Sequence, residues 1–359
     1  MATTLTTDLP TMIMSSQIGD LDFSTSEERL EITLEDSIKE IFRVTLYAYD
    51  GKLTLSNLRE VIENYMVKQG EPFIAFTLFY KKPDGTIIGD KSLWVVYCSV
   101  VNNANIALFG TYNFLTTLSV KRVPRGANER LALFTGQDNG FVFAHCVYAT
   151  PTGDISNVTI SLQKLIPEDI GVISIDVKYI YIRDLILDKG LDVDKILSYT
   201  IQFQDRYFTY YVTDQEPCLS FTFKNCFNVD EIAYIYAITT TKTKVNRSLA
   251  ISCGEHLFYD QSVDKAYDVE SASLTADEAD WIEQLFYSHS VRLGVSDDIT
   301  SLPKVIITES TCEIADNDES LNKVKFTWQF AEKSPHLQKS FRQNLNDKVF
   351  TEQYNATFK

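Results

Sequence analysis

Few residues in this sequence have the types and spacing that chemistry needs. Cys253 and His256 form a C-x-x-H pair, with Cys218 and Cys226 upstream. Two thiolates and an imidazole beside a third thiolate could enclose a zinc ion. The interval from Cys218 to Cys226 is far wider than a C-x₂₋₄-C knuckle, so scattered thiols are the expectation. His145 lies in the strand-like run FVFAHCVYA with no nucleophile or orienting acid nearby. General-base work needs both within hydrogen-bond reach, so a histidine bonded beside a strand is expected. His256, His289 and His336 are equally isolated. Asp316-Asn-Asp-Glu319 offers clustered oxygens for calcium but lacks a D-x-D-x-D-G loop, and reads as an acidic hairpin tip. No GxSxG, P-loop, GxGxxG or HExxH occurs. The expectation is a non-enzymatic protein with no catalytic, metal or cofactor site. A hydrolase built from distant carboxylates remains an alternative, because spatial pairs among 49 acids are invisible in sequence.

Charge restricts the partners. The 359 residues carry 33 Lys and Arg against 49 Asp and Glu, a net −16. Nucleic-acid binding needs a basic face to release counterions, and the best strip is Lys121, Arg122, Arg125 and Arg130. That is too small, and no nucleic-acid partner is expected. No apolar run reaches the ~18 residues of a membrane span. The first residues lack the basic and apolar regions of a secretory signal, so synthesis in a reducing cytoplasm is expected. The six cysteines, at 98, 146, 218, 226, 253 and 312, are dispersed without C-x-x-C pairs, which fits that compartment. The sequons at Asn157, Asn246 and Asn355 then read as chance.

The positioning elements are mostly strands. Alternation or apolar β-branched runs mark 38–48, 73–80, 93–101, 141–149, 155–162, 172–183, 199–212, 219–224, 232–240, 249–252, 304–314 and 322–331. Ser56 is read as the N-cap of a helix carrying Leu58, Val61, Ile62 and Tyr65 and ending near Gly70. Thr275 with Glu278 forms a capping box before Trp281, Ile282, Leu285 and Phe286. The fold class expected is mainly β with a few short helices, a β-rich α+β protein of two sandwich- or barrel-like domains. The boundaries expected are an extended arm at 1–29, a β-rich domain with one helix at 30–168, a second at 169–335, and a tail at 336–359. Trp94, Trp281 and Trp328 fall on apolar faces and are expected to be buried.

One longer stretch resembles a known group. LSFTFKNCFNVDEIAYIYA (219–237), TTTKTKVNRS (239–248), YDVESASLTADEADWIEQLFYSHSVRL (267–293) and KVIITESTCEIADNDESLNKVKFTWQFA (304–331) follow in order. This order resembles virion structural proteins, especially tail-tip ones, of tailed phages and prophages of Bacteroidetes-type bacteria. The matching positions are Phe221, Phe223, Asn225 and Phe227 in a strand-turn, then Trp281, Ile282, Leu285 and Ser288 in a helix. The likeness covers about 115 residues; FRVTLYAYDGKLTLSNLREVIENYM matches more loosely. Cys226 and Asn228 depart from the pattern, which favours a larger or turn-forming residue there.

The resemblance implies self-assembly into a ring or tail-tip complex with no chemistry attached. The expected protein is a phage virion structural component of the tail or baseplate, assembled in the bacterial cytoplasm. Its partners would be copies of itself in a homo-oligomer and other virion proteins. Leu21 and Phe23 in the N-terminal arm, and Phe341 and Phe350 in the tail, are the candidate interaction residues, with docking onto their own chain as the competing reading. A carbohydrate- or receptor-binding β-sandwich module is the main alternative.

Overall fold

A computed structural model describes residues 3–100, 105–136, 139–166, 170–252, 255–313 and 322–332. Within them lie 22 strands and four α-helices, with sandwich-like packing of several sheets. The helices are α1 (Leu58–Gln69), α2 (Ile106–Tyr112), α3 (Tyr179–Asp188) and α4 (Ala276–Tyr287).

The first lobe packs two sheets on α1. Its larger sheet runs, in spatial order, Met12–Met14, Ile87–Val96, Phe73–Lys81, Arg29–Glu35 and Glu40–Tyr47. A three-stranded sheet of Thr4–Leu5, Leu21–Ser24 and Lys52–Leu55 lies beside it. Leu30, Ile32, Phe76 and Leu93 meet Leu21, Phe23 and Leu53 in one apolar cluster. On α1, Leu58, Ile62 and Met66 recur at i, i+4 and i+8, so one stripe is buried. The helix stops at Gly70, whose φ of 76° suits glycine and lets its N–H reach the Met66 carbonyl. Asn57, not Ser56, is the N-cap residue.

The arm expected at 1–29 is part of this lobe. Leu9, Ile13, Met14, Ile18, Leu21 and Phe23 are all buried. Its strands span two to four residues, too short to show a period in a Thr- and Ser-rich stretch. Leu21 and Phe23, 0% and 1% exposed, are spent on their own chain's core rather than offered to a neighbour.

The rest of the chain shares a larger core. A five-stranded sheet runs Ile155–Leu165, Gly140–Ala149, Lys195–Phe203, Arg206–Thr213 and Val120–Pro124. A seven-stranded antiparallel sheet runs Asp230–Ile235, Leu219–Lys224, Val291–Leu293, Lys304–Glu313, Lys323–Phe330, Glu255–Ser271 and Ala237–Ser252. One apolar cluster reaches from Phe114 to Trp328 through both. The boundary expected at 168/169 is therefore corrected. The five-stranded sheet draws strands from both sides of it, and the change of core falls between Tyr97 and Phe114. Among the described residues, the ranges 30–168 and 169–335 each hold two α-helices rather than one.

The run 172–183 is also corrected. Strand Gly171–Asp176 ends where the Asp176 carboxylate accepts the Lys178 N–H, and α3 begins at Tyr179. Tyr179, Ile182 and Ile186 bury one helical stripe, while the sequence YIYI also satisfies a period of two. The capping box at Thr275 and Glu278 is present, and Trp281, Ile282 and Leu285 of α4 are buried. Burial of each is worth about 2 kcal/mol.

The lobes meet at a turn, residues 225–229. Asn225 Oδ1 accepts the N–H groups of Phe227 and Val229, and Asn225 Nδ2 donates to the Leu115 carbonyl at 2.8 Å. Asn228 has a φ of 59° and donates from Nδ2 to the carbonyls of Met66 (3.3 Å) and Glu71 (3.0 Å) at the end of α1. Cys226 donates its N–H to Gln284 of α4, and its carbonyl accepts the Ser99 N–H. Cys226, Phe227 and Val229 share a small core with Met14, Val96 and Phe134.

Asn228→Ala removes both donors and places at positive φ a residue that tolerates it less well than asparagine. It should cost about 3 kcal/mol. Asn228→Gly relieves the backbone and should recover part of that loss. Urea unfolding of both variants separates the two contributions; equal losses would mean that the backbone angle matters little.

Candidate interaction surface

Of the basic strip only Lys121 is inside the fold; Arg122, Arg125 and Arg130 are exposed. Lys121 is buried, with Nζ 2.8 Å from both oxygens of buried Glu129. The ammonium also lies 5.0 Å from the Trp281 ring centroid and 5.7 Å from that of Tyr234. Glu231 closes the cluster by accepting from Trp281 Nε1 and from Asn225 Nδ2 at 2.6 Å. Burial pushes the Glu129 carboxyl above the ordinary glutamate range; Lys121 pulls it down and Glu231 adds to the rise. A cavity of about 30 Å³ beside the cluster is lined by Leu118, Arg122, Tyr236 and Trp281. That holds little more than a water. Arg122 stacks over Tyr236, Arg125 reaches Asp214 and the Asp194 carbonyl, and Arg130 pairs with Asp297.

The remaining sequence candidates separate. Cys218 is exposed and Cys226 buried, at opposite ends of strand Leu219–Lys224. Six extended residues span about 20 Å, too far for one zinc ion. His256 is exposed; Cys253, the Asp316–Glu319 tip, Phe341 and Phe350 lie outside the described residues. Among the described residues, no three His, Cys, Asp or Glu side chains cluster as a metal site, and no helix is long and apolar enough to cross a membrane. Trp281 and Trp328 are buried and Trp94 is half-buried.

His145 belongs to a hydrogen-bonded row on the open face of the five-stranded sheet. Its ring nitrogens meet Thr159 Oγ1 (3.0 Å) and Gln202 Oε1 (2.7 Å), and Gln202 Nε2 donates to the Tyr207 hydroxyl. Since that Gln202 nitrogen donates, its oxygen accepts, so His145 carries its proton on Nε2. Tyr207 and Tyr211, both 55% exposed, share this face with Phe143.

The surface that sequence reasoning missed is a β-ribbon. Strands Ala237–Ser252 and Glu255–Ser271 pair along their whole length. The second strand joins the sheet only through Tyr267–Glu270, against Lys325–Trp328. From Lys242 and Ala266 outward the two strands have no third neighbour in the described chain, so the ribbon extends roughly 35 Å. Residues 238–247 are all exposed, on both faces. Thr243, Val245, Arg247 and Leu249 alternate with Lys242, Lys244 and Asn246. The run TTTKTKVNRS hints at a strand, but only the pairing register shows that it leaves the body.

No family model and no curated protein matches the sequence. Among solved structures, the calcium-binding domain CBD12 of CALX1.1 aligns with 53% of this chain and 74% of its own, at 8% identity and a TM-score of 0.17. A tetra-tandem repeat from the extending region of a large adhesion protein aligns with 75% of this chain and 69% of its own, at 9% identity and a TM-score of 0.22. Scores this low carry neither a shared fold nor a calcium site to this chain.

Lys121→Met should cost about 3–5 kcal/mol by leaving Glu129 buried without its partner. Lys121→Met with Glu129→Leu should recover most of that, read as a double-mutant cycle in urea. A raised Glu129 also sets a sign: its share of stability is present at low pH and is lost as pH rises through the raised value. Glu129→Gln should flatten that decline above the ordinary glutamate value of 4.5. Thiol reactivity gives a further check. Burial pushes the Cys146 thiol up to about 12 and raises Cys98 and Cys226. Iodoacetamide at neutral pH should modify Cys218 in the folded chain and spare those three, read by peptide mass spectrometry.

Proposed function

We propose that this chain is a structural protein of a phage virion, a tail or tail-tip component that works by self-assembly and docking. The observation that carries this reading is the ribbon. A two-stranded hairpin is at best marginally stable in water, and this one is solvated on both faces. Among the described residues, no strand pairs with the outer edge of its outer strand. Such an element gains its packing from another chain. The order of matching segments from Leu219 to Ala331 supports the virion assignment, and the acidic charge keeps a crowded subunit soluble.

One observation favours a second reading, in which the protein binds a carbohydrate or receptor. Tyr207 and Tyr211 stand on one face of one strand beside Gln202 and His145, which offers rings for stacking and polar groups for hydroxyls.

Light scattering on the full chain over a concentration series tests the first reading. A mass that climbs to a closed multiple of 40.9 kDa is expected. A strict monomer at the highest concentration reached would count against it. Binding on a glycan array, lost in Tyr207→Ala with Tyr211→Ala, would favour the second.

A further inference from the structure

The cluster around Lys121 holds the parts of an amide-forming reaction. Lys121 and Glu129 are 6% and 3% exposed. The Lys121 nitrogen lies 2.8 Å from both oxygens of the Glu129 carboxylate. Those distances put it about 3 Å from the carboxyl carbon, within the range from which bound reactants attack. The Tyr234 hydroxyl accepts the Asn128 N–H at 3.1 Å and donates toward the same carboxylate. Glu231 shares a cavity of about 10 Å³ with Lys121 and Glu129, close to the room that one water needs. The rings of Trp281 and Tyr234 wall the ammonium, with centroids at 5.0 and 5.7 Å.

Burial changes what this pair can do. In water a lysine and a glutamate stay ionised and do not condense. Here desolvation disfavours both charges and pushes the glutamate toward its neutral form. A proton that passes from the ammonium to the carboxylate leaves a neutral amine facing a neutral acid, with no change in net charge. The amine is then a nucleophile. An amide between them carries no charge, so it escapes the cost of burying two ions.

We propose that Lys121 and Glu129 of the folded chain condense, without an added reagent, into an intramolecular amide. The Glu129 carboxyl group turns its face to the amine. The nitrogen lone pair forms the bond to Cδ as the carbonyl π bond opens, and Tyr234 donates to the oxygen that gains charge. The nitrogen then gives up a proton, one C–O bond breaks, and that oxygen leaves as water. Glu231, across the cavity, carries the proton from nitrogen to the leaving oxygen. An ammonium and a carboxylate are consumed, an amide and one water are formed, and nothing is oxidised or reduced. The ion pair described above is the state before reaction. The bond closes the loop from Lys121 to Glu129 and ties strand Val120–Pro124 of the five-stranded sheet to strand Arg130–Thr135. The inference is independent of the assembly reading.

Mass spectrometry of the chain after unfolding reads the bond directly. Chain kept folded at neutral pH should become lighter by one water. Chain kept in urea, where the pair does not exist, should hold its sequence mass. In a tryptic digest, a branched peptide should join residues 126–130 to the peptide that ends at Arg122, uncut after Lys121. Lys121→Arg, which keeps the charge without the amine, should hold its sequence mass. Tyr234→Phe and Glu231→Gln should each slow the loss of water at least about tenfold. A folded parent chain that stays at its sequence mass after long incubation would overturn the proposal. So would water loss without the branched peptide, or equal loss in urea or in Lys121→Arg. Parent rates in both Tyr234→Phe and Glu231→Gln would overturn the roles given to those two residues.

Discussion

The turn at residues 225–229 is the constraint on which the arrangement of this protein depends. It closes a hairpin of the seven-stranded sheet, yet most of its hydrogen bonds leave that sheet. Asn228 satisfies carbonyls at the end of α1, Asn225 reaches the Leu115 carbonyl, and the Cys226 backbone joins α4 to the segment after Val96. Side-chain amides suit this work: Asn225 both donates and accepts, Asn228 donates twice, and asparagine tolerates the left-handed backbone of Asn228. Cys226 and Asn228, with Asn225, are the residues that make the joint. A larger side chain at Cys226 would not fit a site 1% exposed between Phe227, Val96 and Met14.

The same region holds a buried ion pair. Lys121 and Glu129 lie beside Trp281, and half-buried Glu231 accepts from the Trp281 ring nitrogen. An ion pair of this kind adds little net stability over apolar residues of equal size, but it is expensive to break. It therefore fixes which side chains face each other between strand Val120–Pro124 and the seven-stranded sheet. Its second effect is on the surface. Lys121 is buried, while exposed Arg122, Arg125 and Arg130 each have a partner within the chain.

What remains outside is the ribbon. The strands of the body pack on one another, whereas the ribbon beyond Thr241 is held by backbone pairing and by polar pairs such as Lys242–Asp268 and Asn246–Asp264. Cover over Val245 and Leu249 would add the burial that the body supplies to Tyr267 and Val269.

Local patterns settle much of this protein. The β-rich class, α1 and the capped helix α4 follow from periods of two or 3.6 and from capping chemistry. So do the hairpin turns at Pro83–Gly85 and Pro151–Asp154, and the inward set Val324, Phe326 and Trp328 of the last strand. Those patterns are legible because each depends on neighbours within a few positions. Tertiary structure decided the rest. Leu21 and Phe23 look like arm residues until the partner strand Lys52–Leu55 is known, and YIYI is strand or helix until the body chooses which stripe to cover. The exposure of the ribbon, the burial of Lys121 and the reach of Asn228 to Met66 each depend on residues far apart in the chain. Periodicity reports which side of an element is apolar; only packing determines what, if anything, covers it.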